Sequence, residues 1–182
     1  MKLNNFFVMG AAAFAMTSGA VYAADSYEPA IADAVWQGTI GDSIPGSNLI
    51  ITGELGGDIQ RGVLYIEQDG TFTSSNVILE ARDYTPAGGG IGGTDSEDIG
   101  ERQPNAEWTY VSSQVLIGNQ ITSVAEIQVF DNETELVQNP TTPHTGGYVQ
   151  LNVKNTKAIT DVPVEGEAQV MVQMAASYES AI

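Results

Sequence analysis

Along residues 166–178, GEAQVMVQMAASY, apolar side chains fall at every second position: Ala168, Val170, Val172, Met174, Ala176 and Tyr178. Glu167, Gln169, Gln173 and Ser177 stand between them, and Met171 and Ala175 are the two exceptions. A helix would gather apolar residues three and four apart, whereas a period of two lines one face of an extended strand. This reads as the longest clean strand in the chain, and a strand of that length needs an opposing sheet to bury its face.

The same period recurs upstream. Residues 24–38 offer two faces, one with Ala30, Ala32, Ala34 and Trp36, the other with Tyr27, Ile31 and Val35 but broken by Asp33. Small apolar side chains at alternate positions let a strand enter a narrow groove; an ordinary first strand with a frayed start fits the pattern equally well. A loop rich in Gly, Pro, Ser and Asn at 41–48 precedes a strand at 49–52. Residues 63–67 and 71–73 flank Gln68-Asp69-Gly70 and predict a hairpin, since Asp-Gly supplies the positive φ of tight hairpin turns. In the strand at 76–82, Val77, Leu79 and Ala81 share one face while Ile78, Glu80 and Arg82 share the other.

Residues 84–105, with glycines at 88–90, 92 and 93 and acids at Asp95, Glu97 and Asp98, read as a long loop. A connection of that length in a compact domain is either functional or disordered. Strands follow at 107–117 and at 122–130, the second with an irregularity near Glu126; then come a loop at 139–147, a half-buried strand from Tyr148 carrying Val149, Leu151 and Val153, and a short piece at 158–160. No ten residues beyond position 23 show helical spacing. Many short strands separated by turn signals predict an all-β sandwich or barrel.

Residues 1–23 read as an export signal. Lys2 opens a short apolar run at 6–15, and Val21-Tyr22-Ala23 forms a small-residue cleavage site, so cleavage is expected after Ala23. Thr17, Ser18 and Gly19 interrupt the run before it is long enough to span a bilayer. The expected organisation is a signal at 1–23, an extension at 24–38 and one β domain at 39–182. Six basic residues against 23 acidic ones give −17, and loss of Lys2 with the signal makes it −18. Nucleic acid and anionic membranes need a basic face, so neither is an expected partner. With no cysteine, stability rests on burial and backbone pairing, and there is no lipid-acceptor site.

The supply of reactive groups is thin. His144, the single histidine, lies between Pro143 and Thr145 in a loop and reads as a solvated residue; without cysteine or a second histidine the common zinc sets are missing. Paired carboxylates, Glu80 with Asp83 or Glu133 with Glu135, could in form serve a glycosidase, but such pairs arise by chance in so acidic a chain. Residues 95–101 cluster oxygen ligands without the spacing of a calcium loop. No enzyme activity and no cofactor are expected. Trp36, Trp108, Tyr110 and Tyr148 could stack on sugars if exposed; Trp108 and Tyr110 share a strand face that reads more naturally as core.

Taken together, these features resemble the subunits of chaperone–usher fimbriae of Gram-negative bacteria, and most nearly the cysteine-free branches, including the common pilus major fimbrillin type. The resemblance is carried by Ala24-Asp25 at the expected mature start, the Ala32-x-Ala34-x-Trp36 pattern, and Gly166-Glu167 followed by the alternating last strand. It covers both ends of the mature chain and leaves the middle unmatched. The classical branch carries a disulfide and an aromatic next to the last residue; here there is no cysteine, and Tyr178 is followed by four further residues, Glu179 to Ile182.

The resemblance implies an immunoglobulin-like sandwich that lacks its final strand and is completed by a donor strand from a neighbouring subunit. Ala30, Ala32, Ala34 and Trp36 would be the donor residues at the subunit interface. The strand of Ala168, Val170, Val172, Met174, Ala176 and Tyr178 would flank the groove and face a periplasmic chaperone before assembly at an outer-membrane usher. The implied location is the cell surface, reached through the periplasm, with other copies or related subunits as partners and a host glycan as a further one. The alternative is an exported carbohydrate-binding or adhesin module that folds without the extension.

Overall fold

The computed structural model describes residues 28–37, 41, 43–88, 97–117, 120–122, 125–159 and 168–178. The expected signal and its cleavage site lie outside these residues, as does the middle of the glycine-rich stretch. Among the described residues the strands are β1 Ala30–Trp36, β2 Ser43–Ile44, β3 Leu49–Thr52, β4 Leu64–Ile66, β5 Phe72–Ser74, β6 Val77–Thr85 and β7 Asp98–Arg102. They continue with β8 Glu107–Ile117, β9 Gln120–Thr122, β10 Ile127–Asp131, β11 Thr134–Glu135, β12 His144–Thr145, β13 Tyr148–Asn155 and β14 Ala168–Ser177. One 3-10 turn, Glu54–Gly56, is the single helical element described.

The strands form two antiparallel sheets, the arrangement of a β-sandwich. The first runs β12-β8-β14-β1-β2, with β9 also on β8; the second runs β11-β10-β13-β5-β4, with β6 joining β13 to β3 and β7. The period-two stripes read from the sequence face each other between them. Ala30, Ala32, Ala34, Trp36, Val170, Val172, Met174 and Ala176 come from the first sheet, and Leu49, Ile51, Val77, Leu79, Ala81, Val149, Leu151 and Val153 from the second. Asn155 continues the β13 stripe and is also buried. It closes that end of the core as a fully used amide: its Nδ2 donates to the carbonyls of Gly70 and Lys157, and its Oδ1 accepts from the amides of Glu126 and Lys157. Such saturation is what lets a polar group sit inside at little cost.

Four expectations are corrected. The longest strand is β8, of 11 residues, not β14, of 10. The stretch at 84–105 is not all loop, since β6 runs on to Thr85 and β7 pairs back against it. The loop at 139–147 holds β12, paired with Glu107 and Trp108 of β8. The strand piece at 158–160 is absent from the described residues 158 and 159; Ile159 packs against Gly70 and is buried without joining a sheet.

The β8 sequence hides a change of phase. Trp108 and Tyr110 point inward, and so does Val115, five positions on from Tyr110. A strict alternation cannot do this. The pairing with β14 passes from Ser112 opposite Gln173 to Tyr110 opposite Met174, leaving Val111 as the extra residue of a bulge. Gln138 Nε2 donates to the Val111 carbonyl and the Asn139 amide to that of Tyr110, so the interruption is covered.

The β4–β5 hairpin follows its Asp-Gly signal. Gly70 has φ +81°, its amide donates to Glu67 O, and the Glu67 amide donates to Thr71 O. Asp69 accepts from the hydroxyl and amide of Thr71, which together hold its carboxyl below the ordinary range. A Cβ on Gly70 would lie 2.8 Å from Ile159 Cβ on a backbone that L residues avoid. Gly70→Ala is therefore expected to cost more than about 1 kcal/mol, read as a lowered urea midpoint; an unchanged midpoint would refute the assignment of this turn.

Candidate functional site

The segment 30–36 is an interior strand of the first sheet. β1 lies antiparallel to β14 over its whole length, with Ala30 opposite Ala176, Ala32 opposite Met174, Ala34 opposite Val172 and Trp36 opposite Val170. All four of its inward side chains are at most 1 % exposed. Of the two faces the sequence offered, the alanine face is the one turned inward, and Val35 on the other is buried as well. The small side chains suit this position because the facing strands supply bulk: Met174 opposite Ala32, and Leu79 and Leu151 in the opposing sheet.

The far side of β1 is lightly held. β2 pairs with it at two positions only, Ile44 with Ile31 and Ser43 with Ala32. Beyond β2 the backbone is gripped by close approach: a Cβ on Gly41 would fall 2.2 Å from Asp33 O, and one on Gly46 2.1 Å from Glu28 O. Around Gly46, the Glu28 amide donates to Ser47 Oγ and the Ser47 amide donates to Glu28 O. At the other end, the Gly62 amide donates to Val35 O and the Gln37 amide donates to Gly62 O, while Trp36 Nε1 donates to Ser75 O at 2.7 Å. Without β1, the edge of β14 and the stripe behind it would lie open.

The sequence located this strand and its partner; it missed the glycines at 41, 46 and 62 and the Ser75 acceptor. Loop glycines are common, and only the fold shows which of them another backbone crosses. Of the groove-side residues, Val170, Val172, Met174 and Ala176 are buried, whereas Ala168 and Tyr178 are partly buried against the rim of the core.

The other candidate residues do not converge. Glu80 is buried and engaged by Arg82, while Asp83, an odd number of positions along the same strand, accepts instead from Gln103. Glu133 and Glu135 are exposed. His144 Nε2 is 3.0 Å from Asp131 Oδ2, and Asp131 Oδ1 accepts from the Gln150 amide. Among the described residues no group of three His, Asp or Glu side chains is placed to hold a metal ion.

Of the four aromatics, Trp36, Trp108 and Tyr110 are buried. Burial pushes the Tyr110 phenol up, with its hydrogen bond to Ser113 pulling the other way. Tyr148 alone is open, 46 % exposed, and the Arg102 guanidinium lies 5.2 Å from its ring centroid. A stacking platform of several rings is therefore not assembled from this set.

Comparison of the chain with protein-family models, with curated proteins and with solved structures finds no match in any of the three.

Proposed function

We propose that the chain is a structural subunit of an adhesive fimbria, assembled head to tail by strand exchange along the chaperone–usher route. The observation that carries this reading is the place of β1: a strand beside the expected mature start forms the interior of a sheet next to the last strand, with four side chains at most 1 % exposed. Only residues 37–42 join it to β2.

The same seven residues delivered by a neighbouring copy would make every contact they make here. Exchange leaves the groove filled and changes only which chain fills it. A strand added at an edge contributes a row of backbone hydrogen bonds and sets alternate side chains into pockets, and an unpaired β14 edge would otherwise be a site of aggregation. Each subunit offers one strand and one groove on different parts of its surface, so the contact does not close and generates a filament. In this reading a chaperone strand covers the β14 edge until the neighbour arrives, and the usher is where one replaces the other. The carbohydrate-binding alternative retains Tyr148 alone of the four aromatics first considered for it.

The test is a denaturing gel of envelope extract from cells carrying the whole gene cluster, with and without boiling, probed for this chain. A ladder of multiples that collapses to one band on boiling is expected, because a high unfolding barrier keeps such joints shut. A single monomer band in both lanes would sink the proposal.

A further inference from the structure

The three alanines of β1 cannot by themselves fix its register. Sliding the strand by two residues would set alanine where alanine had been, keeping the same face inward. Trp36 ends this degeneracy. Its indole is fully buried, its Nε1 reaches Ser75 O, and its ring lies against Gly62 so closely that an added Cβ would come within 2.1 Å of Cδ1 and 2.3 Å of Nε1. The same glycine exchanges both backbone hydrogen bonds with the residues flanking Trp36, and Gln37 Nε2 donates to Leu64 O. Leu64 opens β4 of the second sheet, with Gly62 two residues before it, and Ser75 follows β5, so this end of β1 is fastened across the sandwich while its middle is held within its own sheet.

We propose that the notch formed by Gly62 and Ser75 is the selective part of the groove: it admits a strand bearing three small residues at alternate positions followed by an indole, and sets that strand's register. The occupant it fits in the assembled state is segment 30–36 of a second copy of this chain. A strand with a small residue at the last position leaves the indole's volume empty and Ser75 O without its donor; a strand slipped by two residues does the same. This inference rests on the strand-exchange reading above.

The test separates giving a strand from receiving one. Trp36→Ala alters the strand a copy gives but leaves its notch intact, whereas Gly62→Ala blocks the notch but leaves its strand intact. Both are expressed, singly and together with different tags, in cells carrying the gene cluster without the wild-type copy. Wild type should give the boiling-sensitive ladder, and each variant alone at least tenfold less of it. Together they should give a two-subunit band carrying both tags, with Gly62→Ala as giver and Trp36→Ala as receiver, and little above it. A wild-type-like ladder from either variant alone would overturn the proposal. So would the absence of any mixed pair, which would make the notch a requirement of folding rather than of selection. A wild type that forms no ladder would instead overturn the strand-exchange reading on which the proposal stands.

Discussion

Ala32→Asp is expected to abolish cooperative unfolding of the purified mature chain. Ala32 is 1 % exposed in the middle of β1, opposite Met174 on one side and Ser43 on the other. An aspartate there would place a carboxylate among apolar side chains, with no buried Lys or Arg among the described residues to meet it, and would add volume to a site sized for a methyl group. An unpaired buried charge costs several kcal/mol even after the surroundings relax. A domain of this size is stable by only about 5–15 kcal/mol, so most of that margin is lost. In a urea titration followed by tryptophan fluorescence, the expected curve has no folded baseline. Ala32→Ser, which adds one hydroxyl, should keep a sigmoidal transition with a lower midpoint. A wild-type midpoint for Ala32→Asp would mean that β1 does not occupy the core of the isolated chain.

The second large effect lies on the opposite sheet. Glu80 is 3 % exposed although its neighbours in sequence, Leu79 and Ala81, are the ones that face the core. What covers it is a cluster on the outer face: Arg82 Nε and Nη2 both donate to Glu80 Oε2, Arg102 Nη1 is 3.6 Å from Oε1, and Tyr148 stands opposite on β13. Arg82 Nη1 also donates to Gly100 O, tying β7 to the cluster. Glu80→Ala leaves the Arg82 guanidinium largely enclosed with its main acceptor gone. Breaking a buried pair in this way costs about 3–5 kcal/mol. The Arg82 side chain keeps some access to water, which places the expected loss near the lower end of that range. Arg102 is half exposed and its contact contributes little. Glu80→Gln can set its amide oxygen where Oε2 accepts both Arg82 bonds, giving up the charge and the Oε1 contact with Arg102, and should lose less. The difference appears as a shift in urea midpoint at unchanged slope; a shift under about 0.5 kcal/mol, the usual size of a surface substitution, would refute the buried-pair assignment.

The parts of the fold legible in the sequence are those where one face of a strand is buried and the other wet. β14 and β13 follow directly from alternation, because a period of two records a sheet face, and the β4–β5 hairpin follows from Asp-Gly. Three kinds of feature escape it. A bulge shifts the phase, so the apolar positions of β8 make sense only once Val111 is set aside. Strands of two residues such as β12 are too short to carry a period, and β7, with Gly100 in a stretch of charged residues, has no apolar face to record. A buried polar group such as Glu80 alternates like a solvated one, and only its neighbours in space reveal that it is enclosed.

The site divides along the same line. Alternation picked out β1 and β14 but offered two faces for β1, and left it to the fold to show that the alanine face is the one turned inward beside β14. It could not say whose groove β1 occupies, because a strand reads the same in its own sheet or in a neighbour's. Nor could it find Gly62: a glycine without a side chain leaves no pattern, and its meaning comes from the ring that crosses it.

The geometry of β1 also says how a filament built this way would meet tension. A pull along the fibre would run along the strand's own axis, so its seven pairings with β14 would be loaded together, in shear, rather than peeled apart singly. The load would enter at Gln37, where φ is +60° and the chain turns out of the sheet. Trp36 and its bonds to Gly62 and Ser75 would feel it first, and the alanine track could slide only after the indole had left its notch. How long such a joint holds is governed by the rate of forced opening rather than by equilibrium stability, so one tryptophan at the mouth of the groove would set the breaking strength of the whole fibre.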